Sequence, residues 1–212
     1  PLYAFRAFLG LGTSWLSREI VGFSIFAALA TAAAASFFVP SLRPWSAPLE
    51  LAAAAAGVAA IACSVMVYAA TRRECWRAPA TSLRFFATAF VLGAATVMLG
   101  ATSPPLARAL AVVAALELGY EAALFRHLGR RQHTALKRTA ILMKGDLAAV
   151  TAARFACGLV GGVLLPALVG CGYAGGRGVA VAIFALTLLG QLGERWLFFT
   201  AATAPKMPGG PG

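Results

Sequence analysis

Thr13-Ser-Trp-Leu-Ser-Arg-Glu-Ile20 runs directly into the apolar segment Val21 to Val39, and this junction decides how the chain folds. Polar residues suit a membrane surface, and an apolar segment of this length suits a helix that enters the bilayer. The junction places Glu19 at that surface, with Trp15 and Arg18 beside it. The sequence therefore predicts a carboxylate, a bulky ring and a cation at one depth, near a helix N-terminus.

Glu19 has two interpretations at this stage. In the first, Ser14 or Ser17 caps the helix and Glu19 lies in its first turn, where the helix dipole favours a carboxylate by about 0.3–1 kcal/mol. Glu19 then only closes a helix end. In the second, the carboxylate exchanges protons with a molecule that docks at the membrane surface, which requires an apolar slot beside it.

The composition indicates a polytopic membrane protein. The 212 residues are 60% hydrophobic and 12% charged, with a mean hydropathy of +0.81, outside the range of soluble domains. We expect an all-α transmembrane helix bundle, because lipid offers no hydrogen-bond partner to an open backbone. We expect one domain over residues 1–212, with a Pro/Gly-rich tail at 205–212. Six segments are long enough to cross about 30 Å of hydrocarbon: 17–39, 50–70, 83–101, 106–125, 147–169 and 179–199.

Cysteine and histidine usage argues against several cofactors in this chain. The cysteines contain no C-x-x-C pair, so neither an iron–sulfur cluster nor a zinc site is expected, and small apolar filler is their expected role. The two histidines fall in a polar loop, so a membrane haem with two axial histidines is not expected. These residues are Cys63, Cys75, Cys157, Cys171, His127 and His133.

Charged residues inside the predicted spans form a second group of candidates. Glu117 and Glu121 lie one helical turn apart on one face, and carboxylates at such depth are costly unless they are paired or hydrated. Pairing with Arg154 or Arg195 in a structural network is one interpretation. The other is a proton path through Glu117, Glu121, Arg154 and Glu194.

The cation distribution predicts the orientation of the chain. Thirteen cations fall on the face that carries the Ser-Arg-Glu motif, and three fall on the other, so the positive-inside rule puts the first face in the cytoplasm. This topology explains the net charge of +11, and nucleic-acid binding is not expected. The thirteen, which define the basic face, are Arg6, Arg18, Arg72, Arg73, Arg77, Arg84, Arg126, Arg130, Arg131, Lys137, Arg138, Lys144 and Lys206; the three are Arg43, Arg108 and Arg177.

Several motifs resemble the membrane anchor subunits of dimethyl sulfoxide reductase-type molybdoenzymes. The resemblance runs through the whole chain, and no single motif is as specific as a metal-ligand motif. The motifs that carry it are Arg6-Ala-Phe8 with Ser14-Trp-Leu-Ser-Arg-Glu-Ile20, Val67-Tyr-Ala-Ala-Thr-Arg-Arg73 with Arg84-Phe-Phe86, and Leu192-Gly-Glu-Arg-Trp-Leu-Phe-Phe199 with Ala204-Pro-Lys-Met-Pro208.

The resemblance implies an anchor without haem or cluster. It implies that the chain holds a molybdopterin catalytic subunit and an iron–sulfur subunit at the membrane and exchanges electrons with ubiquinone or menaquinone. The family's acidic residue in the Ser-x-Glu-Ile position, here Glu19, is implicated in quinol binding or deprotonation; Ser14, Trp15 and Arg18 complete the implied quinone site. Family members have eight helices, so two N-terminal helices and a partner histidine are expected to precede Pro1, which is not an initiator Met.

Orientation and alternative function classes complete the sequence-based interpretation. In the type enzyme the catalytic subunits lie outside the cytoplasm, on the face of the Ser-x-Glu motif. The charge count here is instead similar to sulfite-oxidising complexes with cytoplasmic catalytic subunits, which reduce quinone. A quinol-oxidising anchor, a passive anchor and a small-molecule transporter remain alternatives. The transporter is favoured by helix-breaking and buried charged residues, namely Gly161, Gly162, Pro166, Glu117 and Arg154.

Overall fold

The computed structural model describes residues 10–129, 131–132 and 134–202, and within these ranges it contains helices and no strand. The predicted all-α fold is thereby confirmed. Arg6, Arg130, His133, Lys206 and the expected tail lie outside the described residues. The α-helices are α1 (Trp15–Ser36), α2 (Ser46–Ala69), α3 (Ala78–Gly100), α4 (Pro104–Ala123), α5 (Ala135–Lys144), α6 (Ala148–Cys157), α7 (Leu165–Gly170) and α8 (Arg177–Thr200), and a π-helical segment, Gly158–Leu164, joins α6 to α7.

Five helical segments of the described chain are long and apolar enough to cross a membrane, one fewer than the six predicted. Four of them contain α1, α2, α3 and α8, and the fifth is the run from Ala148 to Gly170. The remaining predicted span is α4, a helix of 20 residues that differs from the five because it carries Arg108, Glu117 and Glu121. Charge rather than length therefore sets α4 apart.

The third helix begins earlier than predicted. It starts at Ala78 instead of Leu83, because Pro79 suits a first helical turn. Arg84, which the sequence assigned to the basic connector, consequently lies in the second turn of α3. The basic face thus has one cation fewer than the sequence indicated.

The polar loop predicted between Arg126 and Lys144 contains a helix. Thr134 caps α5, since its hydroxyl accepts a hydrogen bond from the backbone N–H of Lys137 at 3.2 Å. One side of α5 is buried, with Thr139, Ala140 and Met143 on it, while Lys144 is exposed. The hydroxyl of Thr139 donates to the carbonyl of Ala201 at 2.8 Å, which fastens α5 to the end of α8.

The described chain divides into two compact units. The first contains the residues up to Arg72 together with Trp76–Ser82, and the second contains Arg73–Cys75 and the residues from Leu83 onward. In the first unit, α1 and α2 pack closely at glycines: a Cβ at Gly22 would lie 3.2 Å from the Ala60 Cα, and one at Gly57 would lie 3.2 Å from the Phe26 ring. Small side chains let two membrane helices approach in this way.

In the second unit, Gly158 and Gly162, a Gly-x-x-x-Gly pair, pack against α4. A Cβ at Gly158 would lie 2.9 Å from the Leu118 side chain, and one at Gly162 would lie 3.0 Å from the Ala114 Cβ. The π-helical segment that contains both glycines ends at Leu164, two residues before Pro166. A π-bulge shifts the register of a helix, so it explains how one helical run presents glycines to two neighbours, as Gly161 faces α8.

We expect Gly161→Ala to destabilise the second unit. An added Cβ would overlap the Cβ of Leu186 and lie 3.0 Å from the Thr187 backbone nitrogen, and overpacking of this kind costs about 1–3 kcal/mol. Gly93→Ala in α3 is the matched control, because nothing lies within 4 Å of its added Cβ. Alanine there should be neutral or stabilising by up to about 1 kcal/mol. Thermal unfolding in detergent should separate the two variants; equal midpoints would contradict this packing.

Candidate functional site

The start of α1 is built around Ser14, Arg18 and a short turn. The hydroxyl of Ser14 caps the helix by accepting from the Ser17 backbone N–H at 3.4 Å. Arg18 donates through Nε to the Leu11 carbonyl at 2.7 Å and through Nη2 to the Gly12 carbonyl at 2.9 Å. Its guanidinium also stacks over the Trp15 ring at 4.3 Å. Arg18 and Trp15 thus hold the entry turn onto the helix.

The placement of Glu19 in the first turn was wrong. Because Ser14 is the cap and Trp15 the first helical residue, Glu19 is the fifth residue of α1 and lies in its second turn. Helix capping therefore does not explain this carboxylate, since the dipole effect fades beyond the first turn. The carboxylate instead faces α2, where the Ser64 hydroxyl donates to Glu19 Oε1 at 2.5 Å.

Glu19 borders an exposed apolar stripe of α1. Leu16, Ile20 and Phe23 are 54%, 47% and 40% exposed, and their spacing places them along one side of the helix next to the partly exposed Glu19. α1 is the least buried of the five candidate spans, since only 11% of its most apolar 18 residues are buried. The carboxylate is therefore accessible from an apolar surface while Ser64 fixes one of its oxygens.

The second group of candidates forms a buried ion triad in the second unit. Nη2 of Arg154 lies 3.1 Å from Glu117 Oε1 and 3.0 Å from Glu121 Oε1, and it donates a hydrogen bond to Glu121. The three side chains are only 1–2% exposed. Of the two partners that the sequence left open, Arg154 and Arg195, it is Arg154 that pairs with both carboxylates, through one guanidinium nitrogen.

A chain of hydrogen bonds connects this triad to a second ion cluster. Arg195 Nη2 donates to Thr88 Oγ1 at 3.0 Å, the Thr88 hydroxyl donates to Gln191 Oε1 at 2.8 Å, and Gln191 Nε2 donates to Glu117 Oε2 at 2.8 Å. Each donor points toward Glu117. Two neutral side chains therefore carry polarisation from Arg195 to the triad.

Glu194 lies between two arginines in the second cluster. Its carboxylate oxygens are 3.6 Å from Arg84 Nη1 and 3.6 Å from Arg195 Nε, and its side chain is 1% exposed. Arg195 also stacks over the Phe85 ring at 3.9 Å. Arg195 directly follows Glu194 in the chain, but Arg84 was missed because it was assigned to a loop.

Gln191 and Thr88 were not predicted as members of this network. A usable signal existed, since Thr187, Gln191 and Glu194 are spaced by four and three residues and form a polar stripe on α8. Arg84 and Thr88 form a similar pair on α3. No local pattern indicates that the two stripes face each other.

A buried apolar cluster of the second unit adjoins the network. The cluster combines Val91, Ala94 and Met98 of α3 with Leu110 and Ala114 of α4, and also includes Ile183 of α8. These residues continue α3, α4 and α8 away from the basic face. The polar network therefore lies toward the basic end of the unit, and the apolar cluster lies on its other side.

A separate groove of about 360 Å³ lies between α4 and the helical run that follows Ala148. Its walls consist of apolar side chains and a glycine, so it suits a hydrocarbon chain rather than a polar head group. The residues that line it are Leu118, Gly119, Ala122, Phe155, Ala156 and Leu159.

The comparison with protein families agrees with this architecture. The family described as DMSO reductase anchor subunit (DmsC) matches residues 1–200, nearly the whole chain. No curated protein and no solved structure matches at a significant level. The matched range contains both the Glu19 region and the buried network, and the chain belongs to the family of DMSO reductase anchor subunits.

Proposed function

We propose that this anchor binds membrane quinone beside Glu19. It holds an iron–sulfur subunit and a molybdopterin catalytic subunit at the membrane, and electrons pass between the iron–sulfur subunit and the quinone. The observation that carries the proposal is the position of Glu19: a partly exposed carboxylate, held by Ser64, at the edge of the Leu16–Ile20–Phe23 stripe. Quinone chemistry needs a group that gives or takes a proton beside an apolar surface, and Glu19 and the stripe supply both.

Within this site the residues have different roles. A bound quinone, ubiquinone or menaquinone, supplies the acceptor for electrons and protons. Glu19 gives a proton to a ring oxygen when quinone is reduced, or takes one from it when quinol is oxidised, and the Ser64 hydroxyl fixes the direction in which the carboxylate points. Ser14, Trp15 and Arg18 position the helix entry, and Nε and Nη2 of Arg18 are already engaged by backbone carbonyls. The substitution Glu19→Gln tests this assignment.

A transporter has less support than a quinone-reacting anchor. Its midplane site would use Glu117 and Arg154, which are joined in a closed, buried ion triad. Gly161 and Gly162, the other residues that favoured transport, pack against α8 and α4. A passive anchor would need no accessible carboxylate at the surface of α1.

We further propose that the basic face lies in the cytoplasm, with electrons passing from sulfite into quinone. The support is the charge asymmetry, which persists after Arg84 is assigned to α3. A quinol-oxidising anchor with catalytic subunits outside the cytoplasm is the alternative. The two differ in which face an external reagent can reach.

Native Cys171 provides a reporter for this topology. It is exposed in the loop after α7, opposite to the basic face. We expect a membrane-impermeant thiol reagent added to intact cells to label Cys171 and to lose that label in Cys171→Ser. In the Cys171→Ser background, Arg131→Cys should label only after the cells are permeabilised, since Arg131 is exposed on the basic face. The opposite labelling pattern would contradict the proposed topology and favour catalytic subunits outside the cytoplasm.

A further inference from the structure

The buried triad of Arg154, Glu117 and Glu121 contains two carboxylates and one cation. Both Oε1 atoms lie within 3.1 Å of one nitrogen, Nη2 of Arg154, and all three side chains are almost completely buried. If both carboxylates were ionised, the triad would carry one uncompensated negative charge in a dry environment. Two carboxylates that share one site do not readily ionise together.

The neighbouring groups do not cancel this charge directly. In the described chain, the group outside the triad that hydrogen-bonds to it is neutral: Gln191 donates to Glu117. Thr88, which donates to Gln191, is neutral too. Arg84, Arg195 and Glu194 form a cluster with one excess positive charge, but the side chains of Arg84 and Arg195 are 15% and 27% exposed. Water can therefore hydrate that excess positive charge, whereas the triad has no comparable access.

Glu117 also has a carboxylate oxygen, Oε1, that could carry a proton. Its Oε2 accepts from Gln191, but its Oε1 has no hydrogen-bond partner in the described part of the chain, and the side chain is 1% exposed. Oε1 pairs with Arg154 by charge at 3.1 Å without an aligned donor. A buried acceptor without a donor is costly, and a proton shared with the nearby Glu121 carboxylate would satisfy it.

We propose that Glu117 and Glu121 retain one proton between them and exchange it with water at the basic face. Glu121 lies two residues before the end of α4, about 3 Å along the axis, whereas the apolar cluster of Leu110, Ala114 and Ile183 closes the other direction. Arg154 positions both carboxylates. Uptake of one proton converts the doubly ionised pair to the singly protonated pair, and no other bond changes. Use of this proton in quinone chemistry rests on the proposed function; the retained proton does not.

Infrared spectroscopy of the purified full complex tests the proposal without quinone turnover. Spectra recorded in H₂O and D₂O should contain a deuteration-sensitive C=O stretch of one buried carboxylic acid per anchor. In both Glu117→Gln and Glu121→Gln this band should disappear, because the remaining carboxylate then pairs one-to-one with Arg154. Glu74→Gln, at an exposed carboxylate, should keep the band. Copurification of the partner subunits verifies that each variant has assembled.

The competing outcomes are distinct. No such band in the wild-type complex would mean that Arg84 and Arg195 suffice to hold both carboxylates ionised, and the proposal would be wrong. Persistence in both glutamine variants would assign the band to Glu194 or another acid and would also overturn it. Loss in only one variant would mean an acid localised on that residue rather than a shared proton, which contradicts the pair. None of these results depends on Glu19.

Discussion

Replacement of Glu19 by glutamine should reduce quinone-linked turnover by about 100- to 10,000-fold, the range of general acid–base contributions. Glutamine keeps the size of the side chain and can still accept a hydrogen bond from Ser64, so the α1–α2 contact should survive. Only the group that binds and releases a proton is removed. Turnover with membrane quinone, measured on the assembled complex, is the direct readout.

Two controls separate chemistry from structure in this experiment. An artificial acceptor that takes electrons directly from the catalytic subunits bypasses the anchor, so its reduction should remain unchanged in Glu19→Gln. Ser64→Ala leaves the carboxylate ionisable and removes one hydrogen bond worth about 1 kcal/mol, so its effect on quinone turnover should be much smaller. If Glu19 only locks α1 to α2, the two variants should behave alike, and unchanged quinone turnover in Glu19→Gln would refute the assignment.

The sequence predicted the long apolar helices because each begins or ends where apolar residues give way to charge, proline or glycine, but it missed the short helix α5. Other errors occurred where a long-range contact decides the outcome. Arg84 looked like part of a basic connector, but it lies inside α3, where its partner is Glu194 on α8, 110 positions later. No local pattern contains that pairing. A charged residue inside a span is costly unless it is paired, so its placement cannot be predicted before its partner is known.

The candidate sites were predictable to different degrees. The type of residue at the start of α1 was apparent, but the turn that holds Glu19 depended on which serine caps the helix, and Ser14 rather than Ser17 does so. The sequence could not identify Ser64 as the partner of Glu19, because that contact depends on the close approach of α1 and α2 at Gly22 and Ala60. For the buried carboxylates, the sequence left Arg154 and Arg195 open as partners, and the structure pairs both carboxylates with Arg154.

Replacement of Arg154 by methionine should destabilise the anchor by about 3–5 kcal/mol, the cost of removing one partner from a buried ion pair. Methionine fills part of the same space but leaves Glu117 and Glu121, both at most 2% exposed, without a cation. A Cβ at Gly158 or Gly190 would lie 2.9 or 3.3 Å from Arg154 Nη1, so these glycines shape a cradle around the guanidinium. Thermal unfolding of the detergent-solubilised complex should report the loss.

Neutralising the whole triad should reverse most of that loss. In Arg154→Met combined with Glu117→Gln and Glu121→Gln, no buried charge remains, and replacement of a complete buried ion cluster is often neutral or stabilising. Gln191 can still hydrogen-bond to glutamine at position 117, so the connection to Thr88 is retained. An unfolding midpoint for the triple variant as low as that of Arg154→Met would contradict an electrostatic cause and indicate that the arginine acts through packing. Recovery would show that Arg154 is required because of the carboxylates beside it, and would make its partners, rather than its shape, the reason for a cation at this depth.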